Sequence, residues 1–130
     1  MIRSYKHREY LKAAQFVWAA FVFIIHVMPV DRDDIRRFDF PYADKWIHGL
    51  LFCVLASLSY MVTSKRRSVT ISLVLVFSAC IAYGGLLELI QLVYTEERSG
   101  DALDWLADAS GTIVGLILTK VISDRIILRS

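Results

Sequence analysis

The stretch VTISLVLVFSACIAYGGLLELIQLVY, residues 69–94, decides the fold. It carries a single acid, Glu88, and no lysine or arginine. As a helix it would be about 39 Å long at about 1.5 Å per residue. The hydrocarbon core of a bilayer is only about 30 Å thick. A helix in water needs a polar face, and this segment has almost none.

Three further apolar segments flank it, at residues 13–30, 46–63 and 103–122. The 130-residue chain is 56% hydrophobic with a mean hydropathy of +0.50, above the usual apolar share of a soluble domain. The expectation is an all-α, polytopic membrane protein: one domain over residues 1–130, folded as a four-transmembrane-helix bundle. The first segment follows Arg3, Lys6, Arg8 and Lys12 as a signal peptide would. It runs into His26, Val27, Met28 and Pro29 with no small-residue cleavage pattern, so it reads as a retained helix.

The positive residues set the orientation. Ten of the fifteen lie at the N-terminus, in the 64–68 loop and at the C-terminal end; Arg32, Arg36, Arg37, Lys45 and Arg98 make up the other five. Both termini are therefore expected to face the cytoplasm. Phe38, Phe40, Tyr42 and Trp46 suit the interfacial band on the opposite side. The net charge of +2 and the lack of a basic, aromatic-interleaved patch argue against nucleic acid as a partner. Cys53 and Cys80 lie inside apolar segments without metal-ligand or CxxC spacing, and read as small buried residues.

Polar residues recur at one depth. Asp44 and His48 are one turn apart with Lys45 beside them, and Glu88 and Gln91 share a helix face. Asp101, Asp104, Asp108, Gly111 and Gly115 follow a three-four-three-four spacing, giving a stripe that is polar first and small further in. His26, at the end of the first segment, is a candidate fourth contributor. Exposing Glu88 or Asp108 to lipid would cost several kcal/mol, about 2.5–3.5 for an acid at a helix centre. The stripes should therefore face one another, and pairing with Lys45, Arg98 or His48 would offset the burial. Gly111 and Gly115 form a small-xxx-small pair that permits close helix approach.

The motifs Asp44-Lys45-x-x-His48, Glu88-x-x-Gln91, and Arg98 followed by Asp104-x-x-x-Asp108-x-x-Gly111 resemble those of the VanZ-like family over about residues 44–118. Family members are small bacterial membrane proteins, and the founding member is associated with resistance to the glycopeptide teicoplanin. The resemblance implies a multi-pass protein of the bacterial cytoplasmic (inner) membrane and the cell envelope. It implies no mechanism. Asp108 departs from the family pattern, where Asn is the more frequent residue, and adds a possible charge.

Plainer roles stand beside these. Asp44 suits a helix cap, Ser99 and Asp101 could cap the fourth helix, and Glu88 with Gln91 could simply clasp helices. One histidine among scattered carboxylates, without HExxH spacing, gives no reason to expect a metal or any other cofactor. Ser110 has no nucleophile elbow around it.

Three functions follow. The first is an outward-facing polar cavity binding the head group of an amphiphile: a membrane lipid, a lipid-linked cell-wall precursor or a lipoglycopeptide. Asp44, Lys45, Gln91, Arg98 and Asp101 would be its binding residues. The second is an enzyme acting on such a lipid, with His48, Glu88, Asp104 and Asp108 catalytic and the two aspartates sharing a proton. The third is a structural or interaction module in which the polar cluster specifies packing.

Overall fold

The structure is a computed structural model that describes residues 2–28, 42–94 and 102–127. These form four helices: α1 (Ile2–Val27), α2 (Ala43–Thr63), α3 (Val69–Tyr94) and α4 (Ala102–Ile127). No strand occurs among the described residues. Each helix is long and apolar enough to cross a membrane. The expected all-α, four-helix architecture is the one observed.

Several boundaries lie outside the apolar limits. α1 begins at Ile2, not near residue 13; Glu9 pairs with Lys12 at 3.0 Å, three residues on, which supports the helix through these polar turns. α4 continues to Ile127, past residue 122, with Lys120 and Asp124 paired at 2.7 Å one turn apart. α2 starts at Ala43, so Asp44 lies inside the first turn and does not cap it. Tyr42 is the N-cap, in the left-handed conformation at φ 60° and without a side-chain cap bond. Its carbonyl takes the amides of Lys45 and Trp46 instead. Asp44 still complements the positive helix end.

Packing is led by α2 against α4, although the short 64–68 turn joins α2 to α3. Glycine makes this contact. A Cβ on Gly111 would run into the Gly49 backbone, and one on Gly115 into that of Cys53. The small-xxx-small stripe of α4 thus lies on α2, and Ser57 Oγ adds bonds to the carbonyls of Cys53 (2.8 Å) and Gly115 (3.3 Å). α3 runs unbroken through Gly84 and Gly85. A Cβ on Gly84 would crowd Asp108 and Phe52, so glycine lets these side chains pack close to α3 there.

The buried apolar core is small, centred on Leu51, Phe52, Leu55, Tyr60, Val76 and Leu87. Meanwhile Val74, Leu86, Leu89, Ile117 and Leu118 are largely exposed along the helices. Contiguous apolar surface on this scale is rare on a water-soluble monomer. It fits a bundle whose solvent is acyl chain, where helices satisfy their backbone internally and leave apolar side chains outside. Side chains tie α1 to its neighbours: Trp18 Nε1 donates to the Leu51 carbonyl (3.0 Å) and Tyr83 Oη to that of Ala19 (2.8 Å).

Candidate functional site

The last turns of α1 and α3 and the first turns of α2 and α4 share one end of the bundle. Helix direction alone puts His26, His48, Gln91, Asp104 and Asp108 near it. His48 lies about 7.5 Å along α2 from Ala43, and Asp108 about 9 Å along α4 from Ala102.

Two cross-helix pairs join α2 to α4. Lys45 Nζ is 2.6 Å from Asp104 Oδ1 and 3.3 Å from Asp44 Oδ2. One turn deeper, His48 Nδ1 is 3.1 Å from Asp108 Oδ1. The register follows from spacing: Lys45 and His48 are three apart, Asp104 and Asp108 four, so two rungs form along one seam. The upper rung keeps some exposure, 18% for the Lys45 side chain and 16% for Asp104. The lower rung is buried, with the Asp108 side chain at 1%. A charge-assisted hydrogen bond is what makes an acid tolerable at that depth.

α1 and α3 close the cluster. The His26 ring stands edge-on to His48 with centroids 4.5 Å apart, and near Phe52 at 6.1 Å. His26 Nδ1–H donates to the Val22 carbonyl at 2.7 Å. Gln91, buried on α3, donates from Nε2 to the His26 carbonyl at 2.8 Å. That carbonyl belongs to the last turn of α1, where the helix supplies no amide partner, so Gln91 serves as a cap from a neighbouring helix.

The sequence-derived candidates are distributed as follows. Lys45, His48, Asp104 and Asp108 meet across α2 and α4, with Asp44 on Lys45. Gln91 is present through α1. Glu88 is half-buried, one turn before Gln91 on α3. Arg98 and Asp101 lie outside the described residues, as do Phe38, Phe40 and Ser99. Asp104 and Asp108 share no hydrogen bond among the described residues; each turns to α2. Asp104 pairs with Lys45 and Asp108 with His48, so the two acids stand in two separate cross-helix pairs.

His26 is the residue the sequence undervalued. A single histidine at the end of an apolar helix gives no local signal, and only the α1–α2 packing brings it to His48. Trp105 carries no signal in the sequence; its Nε1 donates to the Ile81 carbonyl at 3.1 Å and joins α4 to α3.

The VanZ/LLP1 family model matches residues 4–123 of this chain. The chain belongs to the VanZ/LLP1 family. Nearly its whole length is covered, so the match takes in all four helices except the first two residues of α1 and the last four of α4, and it includes α1, which the motif resemblance over residues 44–118 did not reach. No curated protein and no solved structure is significantly similar to it. Family membership and four apolar helices together make this VanZ/LLP1 chain a multi-pass membrane protein.

Proposed function

We propose that the polar end of this VanZ/LLP1 bundle binds the head group of an amphiphile resident in the outer leaflet. The ligand class is a phosphate- or carboxylate-bearing, sugar-containing lipid, such as a lipid-linked cell-wall precursor or a lipoglycopeptide. The observation that carries this is the Lys45 ammonium held between Asp104 and Asp44 at the first turn of two helices. This upper rung keeps some exposure at its end of the bundle, which leaves its charged groups open to an incoming head group. Lys45 would meet the anionic group through charge-assisted hydrogen bonds, with Arg98 as the second cation. Asp44, Asp101 and Gln91 would take hydroxyls and amides. This reading has both termini cytoplasmic and the site facing outward in the bacterial inner membrane, and it gives the family's link to teicoplanin a physical basis in lipid or glycopeptide capture.

Mass spectrometry of lipids that copurify with the wild-type chain and with the Lys45→Ala/Arg98→Ala double variant tests it. Anionic or glycosylated lipids should be enriched on wild type and lost from the folded double variant. An unchanged lipid set on the double variant would refute head-group capture.

The buried His48–Asp108 pair favours a second reading, an enzyme acting on the same amphiphile. A carboxylate that fixes an imidazole's tautomer is the usual support for a general base, and Asp104 lies one turn from Asp108 on α4. Product formation from a candidate lipid that disappears in His48→Gln would support it. No turnover of a bacterial lipid extract would count against it.

A further inference from the structure

We propose that His26, His48 and Asp108 form a binding site for a divalent transition-metal ion of the zinc class. The three residues come from α1, α2 and α4, and each offers a ligand atom within 4.8 Å of the others. All three are buried: His26 at 1%, His48 at 6% and Asp108 at 0% exposure. Sequence spacing hides the set, since 22 residues separate the histidines and 60 separate His48 from Asp108.

The donor chemistry fits. Two imidazoles and one carboxylate are a recurrent three-ligand set for zinc, with a further position left for water or another oxygen. His26 is already in the required tautomer: its Nδ1–H is spent on the Val22 carbonyl, so Nε2 carries the lone pair. Metal-bound histidines are commonly fixed through the other ring nitrogen in this way. His48 Nδ1 and Asp108 Oδ1 stand 3.1 Å apart. Two ligands of tetrahedral zinc, each about 2.0–2.1 Å from the metal, lie about 3.3 Å apart. An ion bridging this pair therefore needs almost no movement there, and the proton on His48 Nδ1 passes to Nε2. No two ligand atoms of the trio are more than 4.8 Å apart, so closing onto one ion asks for a contraction of at most about 1.5 Å.

An independent observation points the same way. Asp108 Oδ2 is fully buried and takes no hydrogen bond among the described residues. An unsatisfied carboxylate oxygen in a membrane interior is costly, and a cation bound by both oxygens of this carboxylate would satisfy it. The space beside it is kept open by glycine, since a Cβ on Gly84 would come within 2.9 Å of Oδ2. The proposal does not depend on head-group binding: a metal-holding bundle with no lipid ligand satisfies it equally.

The test uses the full chain in detergent, purified through a tag that contains no histidine and loaded with Zn(II) alone. Metal is counted by elemental analysis after desalting against a weak chelator. Wild type should retain about one zinc per chain. His26→Gln, His48→Gln and Asp108→Asn should each weaken retention by about tenfold or more, while His7→Gln, the remaining histidine, and Asp124→Asn should not. X-ray absorption of zinc-loaded wild type should report two imidazole ligands, and this arm needs no variant to fold. Substoichiometric zinc on wild type, equal retention by the three ligand variants, or a spectrum without imidazole would each overturn the proposal and leave the trio as a packing network.

Discussion

Gly49 and Gly111 meet at the same crossing of α2 and α4, yet substituting them should have very unequal consequences. A Cβ added to Gly111 would lie 2.7 Å from both Cα and the carbonyl carbon of Gly49, and nearer still to its carbonyl oxygen. Ordinary contact begins at 3.4 Å, so the helices must separate by at least about 0.7 Å. Backbone cannot rotate away as a side chain does. Asp108 is one turn from Gly111, and His48 precedes Gly49, so the same displacement stretches the His48–Asp108 bond from 3.1 Å to about 3.8 Å, beyond hydrogen-bonding range. Overpacking costs about 1–3 kcal/mol, and the lost bond to a buried carboxylate adds about 1.5–3 kcal/mol. Gly111→Ala should therefore destabilise the bundle by about 2.5–6 kcal/mol. A Cβ on Gly49 meets only the Ala107 carbonyl at 3.6 Å, so Gly49→Ala should stay within about 0.5 kcal/mol of wild type, as a substitution without strain does. Reversible unfolding in mixed micelles, followed by far-ultraviolet circular dichroism, gives both values. Equal effects from the two substitutions, or a neutral Gly111→Ala, would refute the close α2–α4 seam.

Three other outcomes follow from the same geometry. Lys45→Met should destabilise the protein by leaving Asp104 half-buried without its cation, by about 1–3 kcal/mol, and adding Asp104→Asn should recover part of that loss in a double-mutant cycle. Gln91→Ala removes the donor to the His26 carbonyl; a cost of about 1 kcal/mol and faster amide exchange confined to the last turn of α1 are expected, read by hydrogen-exchange mass spectrometry. Four spans with the observed lysine and arginine distribution predict that a fluorescent-protein fusion at the C-terminus is bright and a phosphatase fusion there inactive; the reverse pattern would invert the orientation.

The four helices were legible because membrane-spanning segments announce themselves in single-residue hydropathy, as residues 69–94 do without help from any partner. Their ends were not, since Glu9 with Lys12 and Lys120 with Asp124 extend helices through polar turns that hydropathy discards. The seam between α2 and α4 was half legible. Gly111 and Gly115 marked a close approach, but only the fold names Gly49 and Cys53 as what they touch. Energetic reasoning correctly expected the acids to turn inward and pair with Lys45 or His48. It could not rank the pairings, because the choice between Asp104–Asp108 and two cross-helix rungs depends on axial register, which no local pattern encodes. His26 shows the limit most clearly: its importance lies wholly in a contact with a residue 22 positions away.

The measurement that bears most directly on this account is cross-linking in intact membranes, in a chain where Cys53 and Cys80 are replaced by alanine. Cysteines introduced in pairs at positions 45 and 104, and at 48 and 108, would be offered a short bifunctional thiol reagent. Both pairs should be bridged within a single chain. Thiols at these positions that react singly with the reagent, but never with each other, would mean that the acids of α4 do not face α2.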